Sequence, residues 1–170
     1  MNPDIAIYYF LPLVPILSRT ISCLKFKNQM REHLLEAELD RDAHRNLILP
    51  LAGFSFTGLV GLIVLDATLR LNYKVAIFYL LVSFLAFLFS LNVQGYKTRR
   101  WHDLISTGIM DSGSLSLILA ACYLIGSQPF GVFFSSILIL FSIGAWLVDH
   151  IIRLSIQWRY LKIKEANRNG

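Results

Sequence analysis

Five residues able to hold a charge, a proton or a polar contact lie inside stretches that are otherwise apolar: Arg19, Asn92, Asp111, Asp149 and His150. A carboxylate or guanidinium removed from water is costly unless it meets an opposite charge, so such residues mark either an ion pair or a cation or proton site. Arg19 with Asp111 or Asp149 would make the pair, and an unpaired aspartate would make the site. The pair is the favoured expectation, since a partner of the right sign is at hand. His150 stands next to the end of its apolar stretch, where a solvated histidine is ordinary, and no metal site is expected. Cys23 and Cys122 show no CxxC or Cys/His ligand spacing. Asp111, Asp149 and His150 match no reaction motif, so the chain is not read as an enzyme and no cofactor is expected.

A second arrangement follows from spacing. Steps of four and three residues place Arg41, Arg45, Ile48, Ala52, Ser55, Leu59, Leu62 and Asp66 on one helical stripe. One end is basic, the middle mostly apolar and the other end acidic. Repeated around a symmetry axis, the stripe would give a carboxylate ring attracting cations, a constriction at Leu59 and Leu62 able to gate by dewetting, and a basic vestibule. Otherwise Asp66 is an interfacial residue, the aliphatic residues pack or face lipid, and the arginines set topology.

The elements that must carry these residues are apolar runs at 5–24, 47–66, 75–96, 104–126 and 130–152. Each is near the ~20 residues a helix needs to cross a ~30 Å hydrocarbon layer. Composition agrees: 55% of residues are hydrophobic and 16% charged, whereas soluble domains carry roughly 25% charge. The fold class is therefore all-α, a multi-pass transmembrane bundle of four spans plus an N-terminal fifth span or re-entrant segment. The N-terminal run is set apart by Pro12, Pro15 and Arg19, which interrupt it. Segment 25–46 mixes both charge signs and is expected to be a cytoplasmic or interfacial helix, while 153–170 reads as a basic cytoplasmic tail. Pro50 lacks the N–H that would bond Asn46, so a kink or helix boundary is expected at 46–50.

Basic residues orient the chain. Placing 25–46, 97–103 and the tail on one side gathers every lysine and arginine outside the apolar runs except Arg70 and Lys74. By the positive-inside bias this side is cytoplasmic, with the amino terminus outside and the carboxyl terminus inside the cell membrane. The net charge of +5 is thus assigned to topology, and no nucleic-acid partner is expected.

Small residues mark where helices can approach. Gly108, Ser112, Ser116 and Ala120 recur every fourth residue in one run, and Gly53, Thr57 and Gly61 do so in another. Both sets are expected to pack against helices of the same chain or of another copy. Short helices with small loops enclose little alone, so conduction would need a homo-oligomer.

The stretch Arg45–Val60, RNLILPLAGFSFTGLV, and the closing Val148–Ser155, VDHIIRLS, resemble the first and last spans of the Orai-type store-operated calcium channels. The resemblance covers loosely 41–160. It implies a mouth acid at Asp66, a gate at Leu59 and Leu62, and a basic section at Arg41 and Arg45. Pro50 and the long interval from Gly53 to Asp66 depart from that pattern. The function expected from the sequence is an oligomeric ion channel or membrane-permeabilising effector, its pore lined by 47–66 and its cytoplasmic protein or small-molecule signal received at 25–46. The alternative is a non-conducting membrane sensor or subunit that binds partner proteins through its transmembrane helices.

Overall fold

In the computed structural model, the described residues are 10–30, 41–65, 73–95, 99–126 and 132–169, and they are all-helical. The helices are α1 (Leu13–Lys25), α2 (Lys27–Met30), α3 (Arg41–Ile63), α4 (Lys74–Gly95), α5 (Arg100–Gly126) and α6 (Val132–Asn169). Four of them, α3 to α6, are long and apolar enough to cross a membrane.

Of the N-terminal run, expected as a fifth span or a re-entrant segment, the structure describes α1. α1 has 13 residues, or about 20 Å at ~1.5 Å per residue, short of a ~30 Å layer. Pro12 stands at its N-cap and Pro15 in its first turn, where a missing N–H removes no intrahelical bond. The helix closes where the Phe26 N–H donates to Ser22 O at 3.0 Å. Residues 1–9 lie outside the described structure, as do 31–40 and 66–72.

Two other boundaries differ from expectation. α3 begins at Arg41 and runs through Pro50 to Ile63 without a break in assignment. The lost bond to Asn46 is one among many in a 23-residue helix, and α4 covers its inward face. α6 continues through 38 residues, so 153–169, expected as a tail, is helix contiguous with the span.

α5 is the central element, packed against α4, α1 and α6, while α3 packs mainly on α4. The interior alternates apolar clusters with hydroxyls. Ile48, Ala52, Phe87 and Met110 form one cluster, and Leu59, Tyr79, Leu80 and Ala120 another. A third, at the end where α1 stops and α5 begins, joins Phe26, Met30, Leu104 and Leu161. Between them Ser55 and Ser83 hydroxyls meet at 2.9 Å. Ser90 donates to Ser106 O at 3.0 Å while Ser106 donates to Ser90 O at 3.3 Å. This exchange of side chain for carbonyl brings the α4 and α5 backbones close. The surface is the reverse of a soluble domain's, with Phe54, Val64, Phe133, Leu140 and Phe141 widely exposed.

Candidate functional site at the α1–α5–α6 junction

α1 turns its apolar side chains outward, with Leu17, Ile21 and Leu24 exposed, and its polar ones inward, with Arg19 and Ser22 buried. Residues 15, 19 and 22 share one face by i, i+4, i+7 spacing, and that face lies on α5. Gly108 makes the approach possible: a Cβ there would stand 3.0 Å from Arg19 Cγ and 3.5 Å from the backbone of Ile16. Ser112, one turn further on, donates to Pro12 O at 2.5 Å.

Arg19 then reaches across the junction. One terminal nitrogen donates to Asp111 Oδ2 at 3.2 Å on α5, and the other donates to Gln157 Oε1 on α6. Its Nε is buried without a hydrogen-bond partner among the described residues. Asp111 Oδ2 also faces His150 Nδ1 at 3.4 Å, within ion-pair range but longer than a good N–H···O bond. One carboxylate oxygen therefore serves a guanidinium from α1 and an imidazole from α6. His150 is stacked on Trp146, with centroids 5.0 Å apart and planes within 9°, and its Nε2 lies 3.2 Å from Ser18 Oγ.

Ser18 sets a proton-counting constraint, because its single hydroxyl hydrogen has two acceptors: Pro15 O at 2.8 Å and His150 Nε2 at 3.2 Å. If Ser18 donates to Pro15, Nε2 must carry a hydrogen to bond the hydroxyl. A neutral ring of that tautomer would turn the Nδ1 lone pair toward the carboxylate. If Ser18 donates to Nε2, the neutral ring places its hydrogen on Nδ1, facing Asp111. A doubly protonated ring satisfies both contacts but leaves Arg19, Asp111 and His150 with an excess positive charge. The junction can thus hold an ion pair and accept a proton, and each state changes a contact joining α1 to α6.

Of the polar residues singled out in the sequence, the structure brings together Arg19, Asp111 and His150. Asn92 and Asp149 stand apart: Asn92 is exposed on α4, and Asp149 is an exposed partner of Arg153 at 2.8 Å. Both lie at positions of their helices that face away from α5. Among the described residues no group of three His, Cys, Asp or Glu side chains could hold a metal ion. Sequence reasoning missed Ser18, Ser22, Gln157 and Trp158, the last of which donates from Nε1 to Ser22 Oγ at 2.7 Å. The seven-residue interval from His150 to Gln157, continued to Leu161, was the available signal, since it places all three on one face of α6.

The two small-residue faces have opposite fates. Gly108, Ser112, Ser116 and Ala120 are all buried on α5. Gly53 and Gly61 have open space where a Cβ would be, and Thr57 is exposed beside them. The stripe expected to line a pore is the one that packs within the chain. Ile48 and Ser55 are fully buried, Ala52 and Leu59 nearly so, and Leu62 packs at the cluster's edge. The physical reason is that α3 pairs with α4 through Ser55–Ser83 and through aliphatic contact, which turns the glycines outward. Arg45 is exposed, Arg41 lies in the first turn of α3, and Asp66 falls outside the described residues. No protein-family model, curated protein or solved structure matches this chain.

Proposed function

We propose that this is an integral membrane protein acting as a non-conducting sensor or subunit, which associates within the bilayer through α3 and α6. The observation that carries the reading is the inverted distribution of polarity. Arg19, Asp111, His150 and the buried serines lie inside, whereas Phe54, Val64, Leu140 and Phe141 face out, as expected where the solvent is hydrocarbon. α3 and α6 keep most of their surface uncovered, and the open Gly53/Thr57/Gly61 face lets another helix approach closely. The Arg19–Asp111–His150 junction supplies the element whose state a proton or partner would change. It lies about 16 Å along α5 from Arg100, at ~1.5 Å per residue.

Ion permeation is the second reading, favoured by that open α3 face, around which copies could assemble. It requires lining residues other than Ile48, Ser55 and Leu59, which the chain itself covers. Wild-type protein in liposomes is expected to give no ion flux above empty liposomes while remaining oligomeric in detergent. Flux that Leu62→Ser raises and Asp66→Asn makes less cation-selective would reinstate the 47–66 pore, and a stable monomer would remove the association reading.

The orientation we propose places the amino terminus outside and the carboxyl-terminal end of α6 on the cytoplasmic side. With Cys23 and Cys122 replaced by serine, a cysteine at Gly126 is expected to react with an impermeant thiol reagent on intact cells and one at Lys162 is not. Preferential labelling at Lys162 reverses the orientation.

A further inference from the structure

The end of the molecule where α1 stops and α5 begins carries a mixed cationic and apolar surface that the junction does not use. Lys25 Nζ is held 4.3 Å over the Trp158 ring, and the Arg100 guanidinium 5.3 Å over Tyr160. Phe26 meets Trp158 edge-on at 6.0 Å, and the cluster of Phe26, Met30, Leu104 and Leu161 fixes the three helices beneath. Lys27, Arg99, Arg159 and Lys162 are exposed around this platform. On α6, Ile156, Tyr160 and Ile163 recur at i, i+4, i+7 and are 62%, 49% and 63% exposed. Cations and uncovered aliphatic side chains therefore share one level.

We infer that this collar binds anionic phospholipid, with headgroup phosphates on Lys27, Arg159 and Lys162 and acyl chain against Ile156 and Ile163. The inference rests on the membrane reading of the previous section. A nucleic acid or an acidic soluble protein would satisfy the cations but leave Ile156 and Ile163 in water. A zwitterionic lipid would cover the aliphatic side chains but bring no net charge to the lysines and arginines. Lys27 lies on α2 and the other positions on α6, so the surface is complete only when the Phe26, Met30, Leu104 and Leu161 cluster holds these helices together.

The purified chain in mild detergent is to be titrated separately with phosphatidylglycerol, phosphatidylcholine and inorganic phosphate. The readouts are the unfolding midpoint and the lipid retained after gel filtration. Phosphatidylglycerol is expected to raise the midpoint and to be retained, and the other two are not. Replacing Lys27, Arg159 and Lys162 by glutamine is expected to weaken phosphatidylglycerol binding about fivefold per charge removed. The charge-preserving set Lys27→Arg, Arg159→Lys and Lys162→Arg should retain it, separating loss of charge from loss of fold. Equal responses to both lipids overturn the inference, and so does equal stabilisation by inorganic phosphate, which would make the collar a site for a free anion. A chain that partitions into the aqueous phase on detergent phase separation instead removes the membrane reading itself.

Discussion

Asp111→Asn is expected to destabilise the chain by about 3–5 kcal/mol, the cost of leaving a buried guanidinium without its counter-charge. The Arg19 and Asp111 side chains are only 4% and 8% exposed, so water cannot replace the lost carboxylate. Gln157 would remain as a neutral acceptor for one terminal nitrogen, and Nε already lacks a partner among the described residues. Arg19→Gln added to Asp111→Asn is expected to recover part of the loss, because the second change removes the stranded charge. Reversible unfolding of the four proteins in one detergent gives the coupling, and strictly additive losses would count against a direct pair. His150 adds a third arm: His150→Gln in the wild-type background should cost much less, since the Arg19–Asp111 pair stays intact.

The second large effect is expected at Phe87, fully buried against Ile48, Ala52 and Met110. In a soluble core, Phe→Ala costs roughly 3–5 kcal/mol as a transfer term plus a cavity term. On the proposed membrane reading the surroundings are as apolar as the interior, so the transfer term would fade and the cavity term stay, giving about 2–4 kcal/mol. Gly113 provides the sharper test. A methyl group there would lie 3.0 Å and 3.1 Å from two Phe87 ring carbons and 3.2 Å from Ala86 Cβ. Gly113→Ala alone should therefore overpack the contact and destabilise by about 1–3 kcal/mol. In the Phe87→Ala background the two ring contacts are gone and the one with Ala86 Cβ remains, so the same methyl is expected to cost less. An equal Gly113→Ala cost in both backgrounds would mean that the ring and the glycine do not meet.

What the sequence made legible was whatever depends on long-range average hydropathy. The four long helices follow from apolar runs of sufficient length; α4 and α5 fall close to their expected limits, whereas α3 starts earlier and α6 continues past its expected end. The pairing of Arg19 with Asp111 was legible too, because a buried charge restricts its partners severely. The rotation of α3 was not. Gly53/Thr57/Gly61 and Ile48/Ser55/Leu59 both lie at helical spacing on the same element, and helix periodicity does not say which face meets the neighbour. The choice was made by Ser83 on α4, whose hydroxyl has a partner at Ser55. Ala76, Ser83 and Ser90 recur every seventh residue on α4 and are all fully buried, a heptad of small residues that identifies the inward face. Apolar composition did not decide whether the N-terminal run spans or is re-entrant, because it counts equally whether a helix crosses a layer or lies against another helix.

The length of α6 has a mechanical consequence. Thirty-eight residues span about 57 Å, nearly twice a ~30 Å hydrocarbon layer, with no turn where membrane and water would meet. A loop at that level would absorb displacement by changing a few dihedral angles, whereas an uninterrupted helix passes torque along its axis. His150, Gln157, Trp158 and Leu161 attach this rod to α1, α2 and α5, while Phe133, Leu140, Phe141, Leu147 and Val148 before them are exposed. The rod is therefore pinned along its middle, from His150 to Leu161. A twist applied beyond Leu161 would reach the imidazole before the far side, and a change of charge at the imidazole would be carried back to the cationic end by the same shaft.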